Sequence, residues 1–294
     1  MRLFKNIVEV RRKLEIDYFL ERRIRKTFYR KMGYRLHLES PCTFSEKIQW
    51  MKLYYRNPLM TRCADKHLAR TYVKKMGGEE YLTKLYGIYN SSREIDLSKL
   101  PDKFVLKPNH SCGKIIICNG NKASLNWKNN FKLLDDSLKH NYFYVNGEWQ
   151  YKNIKPKIVC EQFLGENMTD YKFFCFHGKP FMCNVIGNRD RKTESIDECF
   201  VDLDYHVLPI LQNGRHHEFP KPTNWTGLVE AAQKLCGSFA FVRVDLYHVD
   251  GKIYFGELTF CPADGMEKWE PQEWDYRLGE MIHLDELPSQ MVIR

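Results

Sequence analysis

Apolar residues recur with two different periods along this chain. Apolar side chains spaced three or four residues apart are typical of helices. The helices predicted in this way cover residues 2–32, 63–76 and 124–140 and a segment that starts at Thr226. Short apolar runs predict strands at residues 104–107, 115–118, 157–160 and 171–176. We therefore expect a protein that contains both helices and strands.

Two predicted helices, one of them not yet named, have recognisable ends. Thr43 is followed three residues later by Glu46, a capping-box pattern that predicts a helix start. The helix predicted over residues 63–76 is expected to stop at Gly77 and Gly78, because glycine readily adopts the left-handed conformation found at helix ends.

The most informative pattern lies near the C-terminus, where residues 241–246 and 253–260 both alternate as strands. Side chains two apart share a face, so Asp245 shares a face with Arg243 and Glu257 shares one with Thr259. Asp250-Gly251 predicts a hairpin turn between the strands. A loop with an odd number of residues, such as three around residues 250–252, would place Asp245 opposite Glu257. Because adjacent carboxylates repel each other, we expect a cation between them, with Mg²⁺ the natural choice; an ordinary hairpin with a solvated acidic face is the alternative.

The first predicted helix, residues 2–32, is very basic. It could lie on anionic lipid or bind an acidic partner, whereas a packed helix with a solvated basic face explains the same pattern. Its basic residues are Arg11, Arg12, Lys13, Arg22, Arg23, Arg25 and Lys26.

Composition adds expectations about partners and compartment. The chain has 294 residues, 43% of them apolar, and a net charge of +9, which favours an anionic partner such as a nucleotide, acidic polymer, nucleic acid or membrane surface. Ten cysteines occur without a Cys-x-x-Cys pair, so we expect reduced thiols instead of a disulfide framework or zinc site. No signal-peptide pattern or apolar run of membrane-spanning length is visible, and we expect a cytoplasmic protein.

Several polar residues stand where strands end. Lys107 precedes the loop 108–114, and a lysine at the mouth of such a loop suits phosphate, although a solvated turn is an equal alternative. Glu161 ends another strand, near a hinge predicted at residues 161–164, and could accept hydrogen bonds from a nucleotide. Asp170 and Lys172 share a strand face and could form an ion pair. The sequence has no Walker loop and no Gly-x-Gly-x-x-Gly, so nucleotide chemistry would need another phosphate cradle.

The order of these pieces resembles the ATP-grasp superfamily and, within it, the TupA-like ATP-grasp family associated with bacterial surface polysaccharide synthesis. The resemblance extends over about residues 44–284 and leaves the basic N-terminal helix outside. The segments that carry it are residues 44–50, 64–66, 100–110, 170–176, 241–246 and 255–262.

The resemblance implies a role for individual residues. Lys66 and Lys107 would hold the phosphates of ATP. The remaining nucleotide contacts would come from the loop residues His110, Ser111 and Gly113 and from the hinge residues Glu161, Gln162 and Leu164.

The resemblance also implies a catalytic group and a metal site. Arg243 would stabilise the transferred phosphoryl group, and Lys172 and Arg189 would assist it. Mg²⁺ would bind Asp245, Glu257 and Thr259. Thr259 departs from the superfamily pattern, in which an asparagine supplies an amide ligand, and its hydroxyl is a weaker ligand.

The implied fold is α+β: two α+β lobes that grip ATP, preceded by an N-terminal helical segment. We expect the boundaries to be residues 1–60 for the basic helical segment, 61–160 for the N-terminal lobe and 161–294 for the C-terminal lobe with the metal site.

The implied activity is that of a carboxylate–amine ligase that forms ADP through an acyl phosphate. Family context suggests amidation of a uronic acid of a surface or capsular polysaccharide, or of its precursor, with an amino acid or amine. ATP, an acidic glycan and an amine would be the partners, with no nucleic acid, and the protein could associate with the inner face of the membrane through its N-terminal helix.

Three alternatives stay open at this point. The protein could be a sugar kinase of ATP-grasp type or a non-catalytic basic protein that binds glycan or lipid. It could also be a polysaccharide glycosyltransferase, for which Asp202-Leu203-Asp204 supplies an Asp-x-Asp match.

Overall fold

The computed structural model describes residues 19–111, 114–166, 168–190, 193, 195–212 and 214–293. The first part of the predicted basic helix and the predicted nucleotide contact Gly113 lie outside these residues. Within them the α-helices are α1 (residues 19–32), α2 (Phe44–Tyr54), α3 (Pro58–Ala64), α4 (Ala69–Lys75), α5 (Trp127–Leu138), α6 (Phe143–Asn146), α7 (Trp225–Leu235) and α8 (Glu273–Glu280). None of these helices is both long enough and apolar enough to cross a membrane.

The strands form two separate sheets. The smaller one is antiparallel, in the order β1-β4-β2-β3, with β1 (Leu85–Tyr89), β2 (Lys103–Pro108), β3 (Ile116–Asn119) and β4 (Ile158–Gln162). The larger one has the order β11-β10-β5-β6-β7-β8, with β9 parallel to β7. Its strands are β5 (Asp170–Phe176), β6 (Lys179–Asp190), β7 (Ser195–Val201), β8 (Val207–Leu208), β9 (Arg215–His216), β10 (Phe241–Val249) and β11 (Lys252–Thr259).

Each sheet has its own hydrophobic core. The smaller sheet packs on α5, where the rings of Phe104 and Trp127 stack with centroids 6.0 Å apart. The larger core joins the big sheet to helices α1–α4, and Phe44 of α2 packs edge-on against Phe241 at 4.8 Å. The N-terminal helices therefore share their core with the C-terminal lobe. The predicted boundaries at residues 60 and 160 instead divide these helices between the basic helical segment and the N-terminal lobe.

Helix α2 begins as its sequence predicts. The Thr43 hydroxyl accepts a hydrogen bond from the Glu46 amide, and the Glu46 carboxylate accepts one from the Thr43 amide in return. Both Ser45 groups, the amide and the hydroxyl, donate to Asp275 of α8 at 2.9 Å. The capping box thus fixes α2 against the last helix of the fold.

The single helix predicted over residues 63–76 is wrong, because the chain turns between α3 and α4. The Asp65 carboxylate accepts hydrogen bonds from the amides of His67, at 2.8 Å, and Leu68, at 3.3 Å. A side chain that binds nearby amides in this way offers the backbone an alternative to the helix. Lys66 therefore lies on the turn itself, and the predicted stop at Gly77 is confirmed by its φ of +73°.

The C-terminal hairpin pairs Asp245 with Glu257 as expected, but a two-residue turn and a β-bulge produce this pairing. Its loop is a two-residue turn, in which Asp250 and Gly251 both have positive φ and Val249 pairs with Lys252. The predicted Asp250-Gly251 turn is therefore confirmed, and its loop does not have the odd number of residues that would by itself pair Asp245 with Glu257. A β-bulge at Gly256 shifts the register by one residue, and this shift places Asp245 opposite Glu257.

Candidate functional site

A cluster of charged side chains lies on one face of β10 and β11. Arg243 donates through Nε to Asp245 Oδ1 at 2.7 Å and through a terminal nitrogen to Asp245 Oδ2 at 2.8 Å. The same guanidinium donates to the Thr259 hydroxyl at 3.3 Å, and that hydroxyl donates to Glu257 Oε1 at 3.3 Å. The two predicted metal-binding carboxylates and the predicted catalytic arginine are thus neighbours.

The adjacent strand β5 adds a second cation to this cluster. Lys172 pairs with Asp245 across the sheet, and its Nζ lies 2.6 Å from Asp245 Oδ2. It also lies 3.7 Å from Asp170, which forms an ion pair with Arg189 of β6. The predicted catalytic residues Lys172, Arg189 and Arg243 therefore belong to one chain of ion pairs that runs across three strands.

A third cation reaches the cluster from the turn after α3. Lys66 Nζ lies 3.2 Å from Glu257 Oε2 and donates to the Ser111 carbonyl at 3.2 Å. The turn is held to the loop after β2, because Asn109 donates to the Asp65 carboxylate at 2.9 Å and accepts from the Lys157 amide at 2.7 Å. Lys66 therefore connects the loop of the small sheet to the carboxylates of the large sheet.

The electrostatic effect of these cations is greatest at Glu257. Lys66 is the strongest influence that holds the pKa of Glu257 well below its usual range, burial opposes it, and Lys172 and Arg243 lower it further. Burial is the largest single influence on the pKa of Arg243 and lowers it, but the charge and hydrogen bonds of Asp245, together with Glu257 and Glu267, outweigh burial, so the pKa is raised. Glu257 is therefore ionised and Arg243 charged throughout the neutral range.

The second predicted phosphate lysine lies on the other side of the cluster. Lys107 forms an ion pair with Glu161, whose other oxygen accepts from the Thr83 hydroxyl at 3.2 Å. A cavity of about 330 Å³ opens here between the two sheets. Lys107, Glu161, Gln162, Leu164, Asp170 and Arg189 are among its lining residues. The structure thus brings most of the predicted hinge and one predicted catalytic arginine to a single cavity.

Two loop residues predicted to contact nucleotide differ in their surroundings. His110 is buried, with Nδ1 at 3.2 Å from Asn109 Oδ1 and Nε2 at 3.0 Å from the His140 carbonyl; burial lowers its pKa. The ring is thus occupied by contacts within the small lobe. The Ser111 hydroxyl is buried without a hydrogen-bond partner among the described residues, and such an orphaned donor is available to a phosphate oxygen.

The oxygen donors near Glu257 suit a hard divalent cation. Carboxylates and hydroxyls are the ligand types that Mg²⁺ accepts, and Glu257 Oε1 and Thr259 Oγ1 lie side by side. Both oxygens of Asp245 are engaged by Arg243 and Lys172, so a metal at Asp245 would compete with these cations. The donor set fits Mg²⁺, and the individual ligand assignments stay a prediction.

A larger cavity, of about 760 Å³, adjoins the same cluster on its other side. Arg243, Glu257 and Thr259 line it together with four carboxylates that the sequence did not single out: Glu148, Asp264, Glu267 and Glu270. Burial raises the pKa of Glu148 to about 7, and burial with the nearby Glu198 raises that of Glu267 to about 7. Glu148 lies in the segment 141–155, and no local pattern in the sequence marks it as buried.

Two other carboxylate–histidine groups do not form convincing metal sites. In the first, His177 Nε2 accepts a hydrogen bond from the His283 amide at 3.1 Å, so a neutral His177 carries its proton on the nitrogen that faces Glu286. In the second, the Asp202 carboxylate accepts from the backbone amides of Asp204 and His206. The Asp-x-Asp match is therefore a local turn in which Asp202 binds the backbone.

A family model described as TupA-like ATPgrasp matches residues 46–283. A search of curated protein sequences found no match.

Solved structures show distant similarity. An L-amino acid ligase from Bacillus licheniformis is 12% identical with a TM-score of 0.48, over 87% of this chain and 60% of that chain. A D-alanine–D-alanine ligase from Helicobacter pylori is 14% identical with a TM-score of 0.46, over 84% and 67%. The corresponding ligase from Bacillus anthracis, complexed with ATP, is 15% identical with a TM-score of 0.39, over 67% and 53%. The chain thus spans about half the length of that last ligase.

Proposed function

The chain belongs to the TupA-like ATP-grasp family, and on this premise we propose that it is an ATP-dependent ligase that joins a carboxylate to an amine and releases ADP and phosphate. The observation that carries the proposal is the position of Lys66. Its ammonium lies between the loop after β2 and the carboxylate of Glu257, with one cavity on each side of the charged cluster. Such a site has separate room for a nucleotide and for a second substrate.

The nucleotide would occupy the smaller cavity, between the sheets. Lys107 and Lys66 would bind phosphate oxygens there, and the Ser111 hydroxyl would donate a further hydrogen bond. Lysine ammonium groups bind phosphate as point charges, so their placement decides how the chain of phosphates runs. Glu161 and the segment that follows it would bind the base.

Arg243, Lys172 and the metal site would act on the transferred phosphoryl group. Phosphoryl transfer is catalysed mainly by positioning and charge neutralisation, and Arg243, held by three hydrogen bonds and only 15% exposed, is well placed for both. Glu257, Thr259 and Asp245 would hold Mg²⁺, which when bound supplies positive charge to the phosphate oxygens.

The chemistry balances in two steps. A substrate carboxylate oxygen attacks the terminal phosphorus of ATP, the bond to ADP breaks, and an acyl phosphate forms. The amine nitrogen then attacks the acyl carbon, the C–O bond to phosphate breaks, and the nitrogen loses a proton. Positioning of both substrates beside one cluster would make each attack effectively intramolecular.

For the acceptor, we propose a uronic acid of a surface polysaccharide or of its precursor. The net charge of +9 supports an acidic substrate, and the larger cavity contains both cations and carboxylates, as a carboxylate–amine pair requires. Action on the cytoplasmic side, close to the membrane where such precursors are assembled, is part of the same proposal.

Nucleotide product analysis tests the proposal. The protein is incubated with Mg-ATP and pools of uronic acids and amines, and ADP, AMP, phosphate and mass gain are resolved, with Glu257→Gln as the matched inactive control. ADP and phosphate that form only when both a carboxylate and an amine are present would support the ligase.

The alternatives give different products. A phosphorylated sugar without free phosphate would identify a kinase. AMP would overturn the acyl-phosphate route. Steep salt dependence of glycan or lipid binding, with no ATP turnover, would favour a non-catalytic binding protein.

A further inference from the structure

Four of the six basic residues in the described part of helix α1 form a basic face: Arg23, Lys26, Arg30 and Lys31. Residues 23, 26 and 30 follow the spacing of three and four that brings side chains to the same side of a helix, and Lys31 directly follows Arg30. Ile24 and Phe28 lie on another side and are buried in the large core. From Arg23 to Lys31 the helix advances eight residues, about 12 Å at a rise of 1.5 Å per residue.

This basic face lines a third cavity, of about 450 Å³. Arg23, Lys26, Arg30 and Lys31 are the cations on its wall, and Asp264 is the carboxylate among its lining residues. Asp264 already forms an ion pair with the buried Lys52. The cations on this wall therefore exceed the carboxylates by three, and the surplus favours a doubly charged anion.

The basic cavity continues into the large cavity beside the charged cluster. Lys31, Asn146, Asp264 and Met266 line both, whereas Arg243 and Glu257 line the larger one alone. A single molecule can therefore extend from the predicted reaction centre to the face of α1. Both volumes lie within the range of about 300–1,000 Å³ that is usual for ligand sites.

Two of the basic side chains that α1 contributes to this cavity make no ion pair or hydrogen bond with the described residues. Lys26 and Arg30 are exposed, and among the residues that the structure describes neither has a hydrogen-bond or ion-pair partner. Arg23 donates to the carbonyls of Tyr144 and Val145, which fixes the neighbouring segment as the opposite wall. The face thus combines one anchored guanidinium with two cations available to a ligand.

We propose that the acceptor substrate is a sugar phosphate or sugar diphosphate, whose carboxylate reacts beside Arg243 and whose phosphate binds Lys26, Arg30 and Lys31 of helix α1. This substrate class rests on the proposed ligase function. The phosphate would lie outside the reaction centre and act as a handle, so that binding energy away from the reacting atoms positions the carboxylate.

The test measures binding without turnover. Wild-type protein is saturated with Mg²⁺ and a non-hydrolysable ATP analogue, which occupies the nucleotide site, and is titrated by calorimetry with glucuronic acid 1-phosphate or with glucuronic acid. We expect the phosphate ester to bind at least about tenfold more tightly, since hydrogen bonds between two charged groups are the strong ones. The Lys26→Gln/Arg30→Gln variant should lose this difference. Arg22→Gln/Arg35→Gln removes two exposed arginines that do not line the cavity and should keep it.

Two further ligands separate the sources of such a phosphate. UDP-glucuronic acid represents a soluble sugar diphosphate, and glucuronic acid linked to a polyprenyl diphosphate in detergent micelles represents a lipid-linked one. Tighter binding of either, lost in the α1 variant, supports the proposal and identifies the source.

Several results would overturn the proposal: equal affinity for the sugar with and without phosphate, an affinity difference that survives in the α1 variant, or α1-dependent binding of phosphatidylglycerol vesicles with no binding of any sugar phosphate. ADP formation is measured in parallel. Phosphate-dependent binding with no ADP from any acceptor would refute the ligase and leave the anion site in place. ADP formation from acceptors whose binding does not depend on phosphate would support the ligase and refute the anion site.

Discussion

Arg243 and Asp245, two residues apart on β10, are joined by two hydrogen bonds that engage both oxygens of the carboxylate. Lys172 binds the same carboxylate from β5. The side chain of Asp245 is 3% exposed, so this is a buried ion-pair group with two cations and one central anion.

Removal of that anion should therefore destabilise the fold. In Asp245→Ala, Arg243 and Lys172 would lose their main counter-charge and keep only the more distant carboxylates of Glu257, at 4.0 Å, and Asp170, at 3.7 Å. We therefore expect the free energy of unfolding to fall by about 3–5 kcal/mol. Urea unfolding followed by circular dichroism measures it. Asp285→Ala, at an exposed position, should change stability by less than about 0.5 kcal/mol. Equal stability of the two variants would contradict the role of Asp245 as the centre of this group.

Glu257→Gln separates catalysis from stability. Glu257 is part of the predicted metal site and also a partner of Lys66, and the amide keeps the size of the side chain but loses its charge. We expect ADP formation to fall at least about 100-fold, on the order of one lost electrostatic contact in a catalytic site. Steady-state kinetics across a range of Mg²⁺ concentrations provides the measurement. A loss of less than threefold, in this variant or in Asp245→Asn, would disprove the metal-site assignment.

Lys107→Met should weaken ATP binding selectively. A hydrogen bond to a charged group contributes about 1.5–3 kcal/mol, which corresponds to a rise in Kd of about tenfold to 100-fold. Lys103, four residues earlier on β2, is exposed and does not line the cavity between the sheets, so Lys103→Met is the matched control. Fluorescence titration with a labelled ATP analogue distinguishes the two. Similar Kd values for both variants would remove Lys107 from the nucleotide site.

Glu148 should make stability depend on pH. Its pKa rises from 4.5 to about 7 on burial, so the folded state binds a proton that the unfolded state has released. Its contribution to stability is complete below about pH 4.5 and is lost as the pH rises through about 7, a change of about 3 kcal/mol. Glu148→Gln cannot titrate, and its unfolding free energy should vary less with pH than that of the wild type over this window. Parallel curves for the two proteins would show that Glu148 does not titrate in this way.

The bulge at Gly256 should be needed for the pairing of Asp245 with Glu257. A Cβ at this position would lie 3.0 Å from the Asp245 carbonyl and 3.0 Å from a ring carbon of Tyr247. In Gly256→Val we expect a loss of stability of about 1–3 kcal/mol from overpacking, together with weaker Mg-dependent activity. Lys252→Val, at the exposed start of the same strand, should retain both. Full activity of Gly256→Val would show that the bulge is not required.

The family and the fold could be predicted from the sequence, because the residues that carry them lie in short contiguous patterns. The capping box at Thr43 and the alternation around Asp245 each depend on neighbours in the chain. The family match over residues 46–283 confirms the interpretation that these patterns supported.

Features that depend on distant contacts were not predictable in the same way. Asp65 breaks the expected helix partly because it accepts a hydrogen bond from Asn109, 44 positions away. From the sequence, pairing of Asp245 with Glu257 required a loop with an odd number of residues, since nothing local to Asp250 indicates a bulge at Gly256. Glu148 is a polar residue in a polar segment, and only the packing of the lobes makes it buried.

The lysines predicted to bind phosphate each hold a carboxylate already: Lys66 holds Glu257, and Lys107 holds Glu161. Without nucleotide the site is therefore internally neutralised. A nucleotide without metal would bind the lysines and leave the carboxylates of Glu257 and Glu161 without their cations. Mg-ATP supplies an anion for the lysines and, at the same time, a cation for Glu257. The ion pairs thus couple the two ligands: metal and nucleotide should each raise the affinity for the other, because only their joint arrival supplies an anion for both lysines and a cation for Glu257.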